Sequence, residues 1–169
     1  MEIINLFGGP GSGKSTTAAG VFSALKIAEI SVELVTEYAK DLTWDESPAI
    51  QDQMLVFAEQ RHRLWRLDGK VKYVVTDSPL LTGLVYSSES DTFNNLVWES
   101  HRFWPSRNYL LKRVKKFDPV GRNQTEQQAV ALDAKFVKLL AWDEYTVVPG
   151  GTQQAIDKIV LDVLIEEGI

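Results

Sequence analysis

The chain has 169 residues, of which 44% are hydrophobic and 24% charged, and its formal net charge is −5. This composition is typical of one globular domain, and we expect a single domain over residues 1–169. The lack of cysteine excludes disulfides and thiol catalysis and favours a cytoplasmic location. The acidic net charge argues against binding nucleic acid by bulk charge. No apolar run is long enough to span a membrane.

Apolar runs of strand type alternate with longer helical patterns along the chain. In chain order, the first half predicts a strand at 2–7, a helix at 14–29, a strand at 32–37, and a helix from Ser47–Pro48 to about Asp68. The second half predicts a strand at 71–77, helices at 79–87 and 92–103 with Asp91 as a cap, a strand at 108–113, a helix at 126–141 behind a Thr125–Gln128 capping box, a strand at 144–149 and a last helix from Thr152 to about Glu166.

The alternation of strands and helices predicts the fold class. Such chains form right-handed βαβ units and a parallel sheet covered by helices on both faces. We therefore expect an α/β fold, a three-layer αβα sandwich around a five-stranded parallel sheet. Ligands bind such sheets at the carboxyl ends of the strands, so residues that directly follow strands should meet at one edge.

A glycine-rich stretch, "GGPGSGKS" at residues 8–15, separates the first strand from the first helix and satisfies G-x-x-x-x-G-K-[ST]. Glycine allows several backbone N–H groups to turn toward one phosphate, and the following helix adds its positive end. Lys14 can reach the outer phosphates, and the Ser15 hydroxyl can ligate Mg²⁺. The motif predicts a P-loop that holds a nucleoside triphosphate through Gly8, Gly9, Pro10, Gly11, Ser12, Gly13, Lys14, Ser15 and Thr16.

Two carboxylates follow predicted strands and are candidate catalytic groups together with Lys14. Asp77 would hold the Mg²⁺ shell with Ser15, or else it only caps the helix that follows. Glu37 would accept a proton from an acceptor hydroxyl or bind a sugar hydroxyl, or else it is a helix N-terminal acid. The residues alone leave open which of the two is the base. Trp44 is a candidate to stack on an acceptor base, with core packing as the alternative.

Basic residues occur in a loop and in two clusters. The loop at about 114–124 is charged, contains proline and glycine and has no hydrophobic period, which predicts a short lid. Arg122 in this lid would stabilise charge on a transferring phosphoryl group, and Arg113 just before it would contact the nucleotide. The clusters at 61–72 and 107–116 are either a local groove for a DNA backbone or solvated faces.

Four motifs occur in this order along the chain: "FGGPGSGKSTTA", "VTEYAKDL", "VVTDSPL" and "FDPVGRNQTE". Together they resemble a small bacteriophage branch of the P-loop nucleoside and nucleotide kinases, a group that includes thymidylate kinases and ribosylnicotinamide kinases. The resemblance spans nearly the whole chain, and the glycine motif is its most specific part. One phage branch is similar to the kinases that phosphorylate 5-hydroxymethyluracil already in DNA, a step in thymidine hypermodification.

The resemblance implies a P-loop NTPase-type fold, a mobile lid over ATP, and phosphoryl transfer from ATP with Mg²⁺ as cofactor. It implies that Glu37 is the acid of the site, Asp77 the metal-side carboxylate and Arg122 the lid arginine. It also implies a nucleoside-type acceptor, with DNA containing 5-hydroxymethyluracil as a partner, in the host cytoplasm. One departure is that Asp77 is followed by Ser-Pro, where thymidylate and deoxynucleoside kinases have arginine. That departure argues against an ordinary thymidylate kinase.

Three functional hypotheses follow. The leading one is a kinase that acts on 5-hydroxymethyluracil in phage DNA, and the second is a kinase of a free nucleoside or nucleoside monophosphate. The third belongs to another class, a P-loop ATPase or switch protein. Against it, the chain lacks the [NT]-K-x-D guanine motif of GTPase switches, and it is expected to be too short for the extra helical domain of AAA-type ATPases.

Overall fold

The computed structural model describes residues 1–86, 90–114, 116 and 125–169. Within them, the strands are β1 (Glu2–Phe7), β2 (Val32–Val35), β3 (Tyr73–Thr76), β4 (Ser106–Lys112) and β5 (Thr146–Pro149). They form one five-stranded sheet in the order β2-β3-β1-β4-β5, and every pairing is parallel. The predicted α/β fold with a five-stranded parallel sheet is therefore confirmed.

Helices cover both faces of this sheet. They are α1 (Lys14–Ile27), α2 (Tyr38–Trp44), α3 (Gln53–Trp65), α4 (Thr82–Tyr86), α5 (Asp91–His101), α6 (Glu126–Leu140) and α7 (Gln153–Glu167), with a short 3-10 helix at Pro48–Gln51. None of the helices in the described part of the chain is long and apolar enough to cross a membrane.

The central strand β1 divides the core into two layers because its side chains alternate between the faces of the sheet. Ile3 and Phe7 pack into a cluster with residues of α3, α5 and α6. Ile4 and Leu6 pack on the other face with residues of α1 and α7. Both faces of β1 are thus buried, which explains why its sequence is a nearly continuous apolar run.

The parallel register makes the three middle strands run in the same direction, with their carboxyl ends on one side of the sheet. Asn5 of β1 lies opposite Thr76 of β3 and opposite Asn108 of β4. The P-loop begins just after β1, and Asp77 directly follows β3. The sheet therefore presents both at the same edge, as expected.

The predicted helix from Ser47–Pro48 to about Asp68 is two elements. Ser47 caps only the 3-10 helix, where its hydroxyl accepts the N–H of Ala49 at 3.3 Å. Asp52 then begins α3 by accepting the N–H of Leu55 at 3.0 Å. The Ser47–Pro48 signal correctly marks the start of the 3-10 helix, but Asp52 caps a separate α-helix after it.

Other element ends also differ from the predictions. The second strand ends at Val35 rather than residue 37, because the unpredicted helix α2 begins at Tyr38. The cap of α5 is Ser90, whose hydroxyl accepts the N–H of Phe93 at 3.4 Å, rather than Asp91. The capping box of α6 is confirmed in both halves, since the Thr125 and Gln128 side chains each accept the other residue's backbone N–H.

Candidate nucleotide-binding site

The P-loop between β1 and α1 depends on glycine at several turns. Gly8, Gly11 and Gly13 have φ values of 146°, 79° and 92°, which side chains other than glycine rarely adopt. Gly13 immediately precedes α1, so its left-handed conformation turns the chain into the helix. The loop amides and the amino end of α1 thereby face the same space, as an anion site requires.

Neighbouring backbone presses against the loop from two sides. A Cβ at Gly9 would lie 2.6 Å from the carbonyl oxygen of Ala129 on α6. A Cβ at Gly13 would lie 2.4 Å from the backbone nitrogen of Gly151, in the turn after β5. The same turn donates the Gly151 N–H to the Thr17 hydroxyl at 2.9 Å. The loop is therefore seated between α6 and the β5–α7 turn, and neither contact is visible from the motif itself.

Lys14 curls over the P-loop. Its Nζ donates to the carbonyl oxygens of Gly8 at 2.7 Å and Gly9 at 3.2 Å. Burial lowers the pKa of this ammonium, and the nearby charges of Glu37 and Asp77 oppose that shift. The cation thus lies at the centre of the acidic edge of the sheet, where it can pair with phosphate.

Ser15 and Asp77 form a pair at the base of the site. The Ser15 hydroxyl donates to Oδ2 of Asp77 at 2.7 Å. Asp77 is 3% exposed, and its Oδ1 has no hydrogen-bond partner among the described residues. A buried carboxylate oxygen without a partner is costly unless a ligand completes it. Its place beside a hydroxyl suits Mg²⁺, which prefers oxygen ligands and keeps several of them as water or phosphate oxygens.

The described residues contain no cluster of three or more acids, histidines or cysteines that would hold a metal ion by themselves. A cation at this edge would be held by one hydroxyl and one carboxylate of the protein together with a nucleotide. Ser15 and Asp77 would supply those two groups.

Glu37 lies on the opposite wall, at the start of α2. It occupies the N-cap position, yet its side chain makes no capping hydrogen bond. Burial raises the pKa of its carboxyl group, Lys14 lowers it, and the charge of Asp77 raises it further. The carboxylate therefore makes no capping hydrogen bond to the helix that it precedes, and Lys14 and Asp77 act more strongly on its pKa than Lys40 and Asp41 of α2 do.

Arg113 braces the P-loop. Its Nη1 donates to the carbonyl oxygen of Pro10 at 2.7 Å, and its Nε and Nη2 donate to Oδ2 of Asp133 at 3.3 and 3.1 Å. Oδ1 of the same Asp133 accepts the N–H of Gly9 at 2.7 Å. Arg113 was predicted to contact the nucleotide, and in this structure its guanidinium contacts the loop that would hold it.

One cavity of about 510 Å³ is lined by Lys14, Ser15, Glu37 and Asp77. Its floor is the P-loop and Asp77, and its other walls come from α2, the 3-10 helix, α3 and α4. The volume lies within the range of about 300–1,000 Å³ that is usual for small-molecule sites. Phe57 and Tyr86 line it, whereas Trp44 is 59% exposed and does not, so the stacking predicted for Trp44 has no support here.

Each of the two basic clusters contains an arginine that is held in ion pairs. Arg107, near the start of β4, is paired with Glu2 and Glu166 at the amino edge of the sheet, away from the P-loop. Arg63 on α3 is paired with Asp41 and Glu59. Arg66 remains exposed. The predicted lid at 114–124 lies outside the described residues except for residues 114 and 116, and Arg122 lies outside them as well.

Sequence reasoning missed two residues of the site. Asp133 lies in the middle of α6, where one acid among helical residues carries no signal of its own. Gln60 lies on α3 and lines the cavity, and it is 4% exposed. A polar residue at an apolar helical position was the only available hint for Gln60.

Fold and loop together define a P-loop nucleotide-binding protein. Residues 3–153 match the family model described as an AAA domain, and the chain belongs to this P-loop NTPase-type family. A comparison with curated proteins gives no match. The family agrees with the binding of a nucleoside triphosphate with Mg²⁺, which is general for P-loop NTPases.

Proposed function

We propose that the protein transfers the γ-phosphate of ATP to a hydroxyl group of a nucleoside-type acceptor. The acceptor that we favour is the hydroxymethyl group of 5-hydroxymethyluracil in DNA. The observation that carries the proposal is Glu37: a carboxylate with a raised pKa that makes no capping hydrogen bond and lines the same cavity as Lys14 and the Ser15–Asp77 pair. Hydrolysis of ATP alone would use a group that activates water, but it does not call for a wall of aromatic and polar side chains beside that group.

Each residue has a part in the proposed reaction. The P-loop amides hold the phosphates, and Lys14 leaves the carbonyls of Gly8 and Gly9 to pair with the phosphate that transfers. The acceptor oxygen bonds to the γ-phosphorus as the bond from that phosphorus to the bridging oxygen of ADP breaks. The hydroxyl proton passes to Glu37. Mg²⁺, which Ser15 and Asp77 would hold, neutralises phosphate charge when it is bound.

The cavity also supports an acceptor beside the phosphates. The wall opposite the P-loop combines the aromatic rings of Phe57 and Tyr86 with the polar side chains of Thr43 and Gln53. Aromatic faces with a few polar groups are what a nucleobase requires. DNA as the source of that base is supported by the resemblance described above.

An ATPase is the second candidate, and the AAA family favours it directly. The two functions differ in what limits turnover. A kinase forms little ADP until its acceptor is added, whereas an ATPase forms ADP with water alone. An ATPase could use Glu37 to activate water, but it would leave the wall with Phe57 and Tyr86 without a ligand.

Transfer of label from γ-labelled ATP tests the proposal. The protein is offered DNA with 5-hydroxymethyluracil, the same DNA with thymine, the free nucleoside and its monophosphate. We expect label in the first DNA only, with transfer falling steeply as salt is added, because contacts to a DNA backbone release counterions. Label in the free monophosphate would replace the DNA proposal with a nucleotide kinase. ADP and labelled inorganic phosphate without any labelled acceptor would mean that the phosphoryl group passes to water, and would overturn the kinase proposal.

A further inference from the structure

We propose that Gln60 is a positioning residue that sets the place of Glu37 in the cavity. The inference rests on the proposed role of Glu37 as the base, and it adds a residue that none of the sequence motifs contains. The observation behind it is a pair of hydrogen bonds from one side chain to the backbone on both sides of Glu37.

The Gln60 amide spans the two peptide groups that flank Glu37. Its Oε1 accepts the N–H of Tyr38 at 3.0 Å, and its Nε2 donates to the carbonyl oxygen of Thr36 at 3.3 Å. A neighbouring parallel strand makes the same two bonds, to the C=O before a residue and to the N–H after it. Gln60 therefore continues the pairing of the chain past the end of β2.

This segment needs such support because regular pairing stops just before it. β2 is the edge strand of the sheet, and its paired residues end at Val35, opposite Thr76. Glu37 then begins α2 without a capping bond from its own side chain. Without Gln60, the Tyr38 N–H would lose this hydrogen bond, and the Thr36 carbonyl would keep only the 3.4 Å bond that it accepts from Arg63 Nη1.

The helix that carries Gln60 is itself fixed. Phe57 and Leu64, one turn before and one turn after Gln60, are 6% and 1% exposed and belong to the core. The Phe57 ring packs edge-on against Phe93 of α5 with centroids 5.5 Å apart. Gln60 thus connects the backbone on both sides of Glu37 to a helix that is anchored in the core.

Arg63 supports the same turn from one helical turn further along. Its guanidinium lies 5.0 Å from the centre of the Tyr38 ring, and its Nη2 donates to Asp41 at 2.8 Å. These contacts hold α2 from outside the cavity. Arg63 Nη1 also donates to the Thr36 carbonyl at 3.4 Å, but Gln60 differs from Arg63 in lining the cavity and bonding to both neighbours of Glu37.

A double-mutant cycle tests the proposal with the full chain and hydroxymethyluracil DNA as acceptor. Gln60→Met keeps the length of the side chain and removes both hydrogen bonds. We expect it to lower kcat at least about tenfold in the wild-type background, because a misplaced base loses part of its 10²–10⁴-fold effect. In a Glu37→Gln background the same change should cost less than about threefold, with the KM for ATP unchanged in both. Gln127→Met, on the exposed surface of α6, is the control and should behave as wild type.

Gln60→Glu adds a second measurement, the pH–rate profile, which a loss of stability alone would not shift. This variant keeps the acceptor for the Tyr38 N–H and adds a negative charge beside Glu37. The added charge should shift the acid limb of the pH–rate profile to higher pH. It also covers the case in which Gln60→Met does not fold, which thermal unfolding will reveal.

The outcomes separate the two proposals. If Glu37→Gln transfers phosphate as well as wild type, the proposed base fails. If Glu37→Gln is impaired but Gln60→Met is not, only the positioning role fails. An equal loss from Gln60→Met in both backgrounds would likewise overturn the positioning role and leave the base intact, whereas an acid limb unmoved in Gln60→Glu would assign that limb to a group other than Glu37 and overturn both proposals.

Discussion

The backbone N–H of Gly9 donates a hydrogen bond of 2.7 Å to the carboxylate of Asp133, which lies 124 residues further along the chain. The other oxygen of that carboxylate accepts from Arg113, which in turn donates to the carbonyl oxygen of Pro10. Two successive residues of the P-loop are therefore tied to α6 and to the end of β4. Preorganised amides bind an anion at less cost than amides that must first be ordered.

The first prediction compares Asp133→Ala with Asp133→Asn. Both changes remove the charge that faces Arg113, but only asparagine keeps an oxygen that can accept the Gly9 N–H. Since such a bond contributes about 1 kcal/mol, we expect ATP to bind roughly fivefold more weakly to the alanine variant than to the asparagine variant. Titration calorimetry with a non-hydrolysable ATP analogue measures the difference. Equal affinities would mean that the bond does not order the loop.

The second prediction concerns Lys14→Ala. We expect phosphoryl transfer to fall by more than about tenfold while the fold is kept, because the transition-state charge loses its cation and the loop backbone keeps its other contacts. Steady-state turnover measures the loss of transfer, and far-UV circular dichroism checks that the fold is kept. Lys138→Ala, at an exposed position of α6, is the matched control. A Lys14→Ala variant with more than a tenth of wild-type turnover would contradict the assigned role.

The third prediction separates function from stability at Asp77. Its Oδ1 is buried without a partner, so the metal-free fold bears the cost of an incompletely solvated charge. Asp77→Asn removes that charge and leaves an oxygen for the Ser15 hydroxyl. We expect the Tm in the presence of a chelator to be unchanged or higher, and the Mg²⁺ concentration for half-maximal activity to rise at least about tenfold. A clear drop of the Tm in chelator would show that Asp77 is mainly a structural group.

The P-loop and its helix could be predicted from the sequence because their signals are local. Glycines at positions 8 and 13 indicate backbone with positive φ, and the Thr125–Gln128 capping box indicates a helix start within four residues. The alternation of strands and helices then fixed the edge at which the loop and Asp77 meet. All of these depend on residues close together in the chain.

The walls of the site could not be predicted in the same way. Helix α2 was not among the predicted elements because glutamate is not a usual N-cap residue, and the sequence offered a helix after Glu37 only as the alternative to a catalytic role. Gln60 and Asp133 act on backbone groups 22 to 24 and 124 residues away. A side chain that bonds to distant backbone has no fixed spacing, and only the folded chain reveals its partner.

The last prediction concerns the pH dependence of transfer. A general base acts only when it is deprotonated, so kcat/KM should rise with pH through the pKa of Glu37 in the free enzyme. Burial raises that pKa above the usual value of 4.5, which moves the acid limb above the range of an ordinary glutamate. Burial lowers the pKa of Lys14, whose cation is needed, so activity should fall again on the alkaline side.

Glu37→Gln should therefore remove the acid limb and leave the alkaline limb in place. The variant should lose at least about a hundredfold in transfer to a hydroxyl acceptor, the usual contribution of a positioned base, with little change in ATP affinity. A phosphate acceptor is already anionic and needs no base, so any transfer to a nucleoside monophosphate should survive the substitution. Steady-state rates from acid to alkaline pH, with wild type and variant side by side, check each part. An acid limb that persists unchanged in the variant would assign it to another group, and the base of the reaction would then have to be sought at Asp77.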